Sequence, residues 1–237
     1  MSVIGRATPF LTGGGAFNYV LSAAGSNRNL RSLIVAAGWD QSSPVNASIT
    51  ANQHGAIAVT ISGSFPGGLT VTNTAVLYGD GGAGGGGGWA YTVGGVLSAS
   101  HNGDNGTTGG TAVYIYSLTG GPFSFVNNGV LASGGGGGGG GNGSANNAAD
   151  YSSYTGGQGG QGGTYYSSAS SGVAGQPFAG DGGNGGAYNS GSGIDGTQNM
   201  TGVYWTLRGT GAGSGYAVIG YALMTFSGTG STQGTVA

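Results

Sequence analysis

Residues 134–141 are eight consecutive glycines, and this run limits what the chain can fold into more than any other feature. Fixing one residue's backbone costs about 1–2 kcal/mol, and glycine, the freest residue, loses more than the average. Ordering the run therefore costs on the order of 10 kcal/mol, with no side chain to bury in return. Two compensations remain: backbone hydrogen bonds, and packing closer than any side chain allows. The alternative is disorder. Glycine supplies 61 of the 237 residues and proline 5, a proportion at which low-complexity disorder is the default. Disordered chains, however, combine low hydrophobicity with high charge. Here only 4% of residues are charged and tyrosine occurs 13 times, so an ordered glycine scaffold is the expectation.

Five tracts carry it: residues 79–88, 134–143, 156–163, 180–186 and 209–215. The third and fourth read GGQGGQGG and GDGGNGG, a period of three. A left-handed extended helix with about three residues per turn presents two bare rows under that pattern, and neighbours can then pack backbone to backbone. The polar residues Gln158, Gln161, Asp181 and Asn184 suit an outer row. The expected fold is mainly β and irregular with little α-helix. A small β-rich amino-terminal region precedes a layered bundle of polyglycine-II helices with loops.

Outside the tracts the chain is more ordinary. Residues 27–39 suit a short helix or a buried turn, and residues 44–51 alternate apolar side chains as a strand does. A repeat follows at an offset of 54 residues. Ala58, Val59, Ile61, Asn73, Val76 and Leu77 recur as Ala112, Val113, Ile115, Asn127, Val130 and Leu131. Leu69 and Val71 match Phe123 and Phe125 in apolar character. Each unit reads strand, turn, strand, glycine tract, and two such units stack more readily than either stands alone. Three regions are expected: an attachment region at 1–55, the two repeat units at 56–141, and a bundle with a carboxy-terminal strand region at 142–237.

Composition excludes much chemistry. The charged residues are four arginines and six aspartates, with no lysine, glutamate or cysteine. A phosphate-binding P-loop needs lysine, and thiol chemistry, disulfides and cysteine-based zinc sites need cysteine. A net charge of −2 leaves no basic stripe for nucleic acid. No run of about 18 apolar residues spans a membrane, and the amino terminus carries no signal-peptide pattern. Residues 79–84 fit the dinucleotide fingerprint, but glycines follow where it requires a helix. The GDGGNGG motif lacks the tandem copies of calcium-binding repeats. His54 and His101 are far apart, no carboxylates cluster, and His101 with Asp104 reads as a solvated loop pair. No cofactor, metal or catalytic set is expected, and the chain reads as a non-enzyme.

The segments between tracts are rich in Tyr, Ser, Asn and Trp, the alphabet of antibody loops, where aromatics give contact area at low entropic cost. These side chains either recognise a target or cap the bundle. The repeat makes the first two tracts run in one direction; if the later tracts alternate, the loops beginning at Trp89, Asn142 and Ala187 emerge together, and the loop at Thr164 emerges opposite. The candidate recognition residues are Trp89, Tyr91, His101, Asn102, Tyr151, Tyr154, Tyr188 and Asn189.

The segments LRSLIVAAGW at 30–39, ITANQHGAIAVTISGSFPGGLTVTNTAVLYGDGGAGGGGG at 49–88 and GYAVIGYALMTFSGTGSTQGTVA at 215–237 resemble the carboxy-terminal regions of glycine-rich bacteriophage tail-fibre adhesins and host-specificity tail-tip proteins. The resemblance covers most of residues 28–237. It implies a virion protein at the distal tip of the tail or tail fibre, with residues 1–55 docking on the fibre or tail-tip protein. The loops would touch a bacterial outer-membrane protein or lipopolysaccharide, without membrane insertion. Two other classes share the glycine signature: ice-binding polyglycine-II proteins and structural glycine-rich surface proteins.

Overall fold

The computed structural model describes residues 15–145, 153–189, 191–200 and 204–237. The described residues are mainly β, with one short α-helix among them at Leu30–Ala36. The chain divides into two compact units that interleave along the sequence. The first comprises residues up to 79 with 111–132 and 216–237; the second comprises 80–110 and 133–215.

The first unit is a stack of parallel turns. One sheet runs Phe17–Leu21, Val45–Ile49, Leu69–Asn73, Phe123–Asn127 and Thr225–Ser227, every neighbour parallel. A second parallel sheet contains Gln53–Phe65, Val76–Gly79, Thr111–Gly120, Val130–Ala132 and Tyr216–Ile219. The 54-residue repeat is the step between two turns. Val59 pairs with Val113, Ile61 with Ile115, Leu69 with Phe123, Asn73 with Asn127 and Leu77 with Leu131. Each residue faces its own repeat, so like stacks on like, and Phe65, Ile61, Ile115, Leu77, Leu131 and Phe125 are all essentially inaccessible. Each such large apolar side chain contributes about 1.5–3 kcal/mol on burial.

The helix closes one side of this unit. Asn29 caps it by accepting the Ser32 N–H at 2.9 Å, and Leu30 and Ile34, four residues apart on one face, are buried. Gly38 ends it at φ +97°, a conformation that favours glycine. Beyond it Trp39 stacks on Phe65 at 5.2 Å and donates its indole N–H to Ser43 O. The Asp40 carboxylate gathers the N–H groups of Ser42 and Ser43 and the Ser43 hydroxyl. These hydrogen bonds, that from the Ser43 N–H foremost, lower its pKa to about 2.

The second unit is a set of glycine passes with an end sheet. Its centre is residues 134–142, buried throughout. The N–H groups of residues 134, 137 and 140 donate to the carbonyls of Gly110, Thr107 and Asp104, and their own carbonyls accept from Gly215, Ala212 and Gly209. Residues 135, 138 and 141 donate to Gly163, Gly160 and Gly157 and accept from Gly82, Gly85 and Gly88. Residues 136, 139 and 142 donate to Gly191, Ile194 and Thr197 and accept from Gly186, Gly183 and Gly180. The three rows thus meet six neighbouring passes, one residue in three, and every backbone group of the central run is paired, as burial demands. A methyl group on any of the eight glycines would overlap a neighbour's backbone carbonyl, that of Gly183 for Gly138 and that of Gly86 for Gly140.

The described residues make eight passes: 80–88, 103–110, 134–142, 156–163, 168–176, 180–186, 191–197 and 209–215. Each runs opposite to the one before it. The five expected tracts are all among them, and three further passes correct the count. In residues 103–110, 168–176 and 191–197 most glycines sit where a neighbouring pass comes close, as at Gly103, Gly106, Gly109, Gly172, Gly193 and Gly196. Elsewhere they keep side chains facing outward, which hides them in a sequence scanned for glycine runs. Gln158, Gln161, Asp181 and Asn184 are exposed, as an outer row requires.

Candidate functional site

The direction of each pass decides which loops meet. Asp80, Gly110, Gly134 and Gly215 are hydrogen-bonded in series at one end, the root, where the chain enters and leaves this unit. The described residues of the loops at 89–102, 142–155, 177–179 and 198–208 lie at the opposite, far end. The loops at 164–167 and 187–189 lie at the root. The expectation that the Ala187 loop joins those of Trp89 and Asn142 is therefore corrected. The unforeseen pass at 168–176 reverses the chain once more and delivers Tyr188 and Asn189 to the root.

At the far end the chain forms an antiparallel sheet ordered Tyr204–Trp205, Ser144–Ala145, Ser153–Thr155, Trp89–Val93, Val96–His101. The last two strands form a hairpin whose turn residues, Gly94 and Gly95, have φ of +57° and +76°, as a two-residue turn of the right twist needs. Alternation along the fourth strand buries Ala90 and Thr92 and turns out Trp89, Tyr91 and Val93. His101 pairs opposite Trp89 and stacks on it at 6.2 Å with planes 13° apart. Its Nε2 lies 3.8 Å from Asp104 Oδ1, both side chains exposed, a geometry that contributes little in water.

Tyr154 pairs opposite Ala90 and Ser144, and Ser144 opposite Trp205. Directly opposed residues share a face, so Tyr154 and Trp205 belong to the other face of the sheet from Trp89, Tyr91 and His101. Tyr154 meets the edge of Phe178 at 5.3 Å. Asn102 ties two segments together: its Oδ1 accepts the Leu207 N–H at 3.0 Å, and three residues on, Asn105 does the same for Thr210 at 2.8 Å. Tyr151 lies outside the described residues.

The site as built is more apolar than the loop sequences imply. Val96 is 66% exposed, Leu207 59%, Trp205 45% and Trp89 38%, on a surface whose charges are few. Sequence reasoning left Leu207, Val96, Phe178 and Trp205 out of the candidate recognition residues. Among the described residues no three His or Asp side chains come together as a metal would need.

The sequence model of one family, described as phage tail fibre adhesin Gp38, matches residues 16–237. No curated protein sequence matches. A solved structure similar to this chain is the crystal structure of the gp37-gp38 adhesin tip complex of the bacteriophage S16 long tail fiber, at 17% identity and a TM-score of 0.42, covering 94% of this chain and 82% of that one.

Proposed function

The chain belongs to the Gp38 family of phage tail fibre adhesins, and on that premise we propose that the far end of its glycine unit binds a receptor on the bacterial outer membrane, an outer-membrane protein or a surface glycan. The observation that carries this reading is the set of exposed apolar side chains gathered at this end: Trp89 and Val96 on strands of the small sheet, Trp205 on its other face and Leu207 just past its edge. Exposed apolar clusters of that kind mark interaction sites, and tryptophan is a common binding anchor. The sparse charge favours an outer-membrane protein over an anionic sugar core. Binding proceeds without chemical turnover.

In this reading the glycine passes are polyglycine-II helices. What supports that is the meeting of each neighbour at every third residue around a six-neighbour centre, the repeat of about three residues per turn. Such a lattice holds the far-end strands rigidly, and rigid scaffolds presenting variable loops are a general plan for binding proteins. The amino-terminal region docks on the tail fibre, placing the chain at the fibre's distal tip.

The test is binding of the purified protein to outer membranes from a panel of bacterial strains, followed by sequencing of mutants that escape it. Loss in porin-type mutants identifies a protein receptor, and loss in lipopolysaccharide mutants identifies a sugar. Binding to no strain overturns the reading.

A further inference from the structure

At the root end of the glycine unit, two turns line an open cleft of about 290 Å³ formed by Thr164, Tyr165, Tyr166, Ser167, Ser168, Ala169, Ala187 and Tyr188. We propose that this cleft is a second binding site, for a neutral saccharide, separate from the far-end surface.

The chemistry of the lining selects the ligand. Three of its eight residues are tyrosines and three carry aliphatic hydroxyls; none is charged. An aromatic ring offers a face to the C–H groups of a sugar, and hydroxyls can donate to or accept from its oxygens. Phosphates and carboxylates would find no cation there. The volume sits at the small end of the roughly 300–1,000 Å³ typical of small-molecule sites, enough for one sugar ring with part of a second.

The cleft is also held in shape. Thr164 and Ser167 exchange both backbone hydrogen bonds, at 2.9 and 3.2 Å, and their hydroxyls lie 2.8 Å apart. This closes a turn with Tyr165 and Tyr166 at its tip. Tyr165 meets Tyr166 edge-on at 4.9 Å and Tyr188 edge-on at 5.8 Å. The second turn is pinned where the Asn189 N–H donates to Ser133 O at 3.0 Å, with Asn189 at φ +64°. Rings fixed before the ligand arrives lose little entropy on binding it. Tyr166 is 60% exposed and offers the most accessible ring.

The experiment is saturation-transfer NMR of the whole protein with maltose, lactose and cellobiose at millimolar concentration, and with glucuronate as a charged control. The expected result is contact with at least one neutral disaccharide and none with glucuronate. Tyr166→Ala should weaken that binding at least about tenfold, while Tyr166→Phe, which keeps the ring, and Trp89→Ala, at the far end, should leave it unchanged. The proposal falls if no neutral disaccharide binds, if glucuronate binds equally well, if binding survives Tyr166→Ala, or if Trp89→Ala abolishes it. Cell adsorption that depends on Trp89 would stand whichever way this result came out.

Discussion

The side-chain amide of Asn73 donates to Oδ1 of Asn127 at 2.9 Å, across 54 residues of sequence and a single step of the stack. Asn127 passes the pattern on, donating to Ser231 O at 3.1 Å. Asn73 also turns its own chain, accepting the Ala75 N–H and donating to Ala75 O. Two equivalent residues of a repeat thus bond each other because parallel, in-register pairing puts every position against its copy.

Asn127→Ala should lower the stability of the protein by about 1–3 kcal/mol, the cost of leaving the buried Asn73 amide a partner short. Denaturant unfolding followed by circular dichroism measures it. A loss below a few tenths of a kcal/mol would mean that the ladder is not part of the cooperative structure.

A pair of glycine substitutions tests the lattice. A Cβ at Gly138 would collide with the backbone of Gly183, whereas one at Gly213 meets nothing within 4 Å. Gly138→Ala should cost about 3 kcal/mol or more through forced separation of the passes. Gly213→Ala should be neutral or stabilise by about 0.5 kcal/mol by restricting the unfolded chain. Equal effects would contradict the close packing; thermal melts of both variants decide.

Of Trp89→Ala and Trp205→Ala, the variant on the binding face should weaken binding to the receptor-bearing membrane by about 2 kcal/mol or more, roughly thirtyfold. Both are exposed, so stability should change by less than about 1 kcal/mol. Because the two side chains occupy opposite faces of the sheet, loss with one variant alone would identify the binding face. Surface plasmon resonance on immobilised outer membranes provides the reading.

Asp40 gives a pH signature. Its pKa falls to about 2 through the hydrogen bonds from Ser43 and Ser42, below the value of about 3.9 expected in an unfolded chain. The folded protein therefore binds fewer protons than the unfolded one between these limits. The contribution of this carboxylate is whole above about pH 4 and disappears as pH falls toward 2. Melting temperatures of the parent and Asp40→Asn, compared over that window, should differ at pH 5 and converge near pH 2.

The amino-acid sequence by itself determined that the glycine runs are a scaffold and that residues 58–84 and 112–138 are copies. It also marked the helix near Leu30 and the strand near Val45, and its resemblance to phage adhesins pointed to the family. These features are local or periodic: apolar alternation, a side-chain-free run and a matched offset are all read along the chain. Only the tertiary structure decided the number of passes and the end at which each loop emerges. Three passes have no long unbroken glycine run because a side chain is forbidden only where another backbone approaches, and that neighbour lies anywhere from five residues away, as for Gly175 and Gly180, to more than fifty, as for Gly193 and Gly137. Each extra pass reverses every loop after it, so Tyr188 moved from the far end to the root, while the further pass at 191–197 returns Trp205 to the far end with Trp89. The division of Tyr154 and Trp89 between two faces was equally invisible, since strand register is a relation between segments.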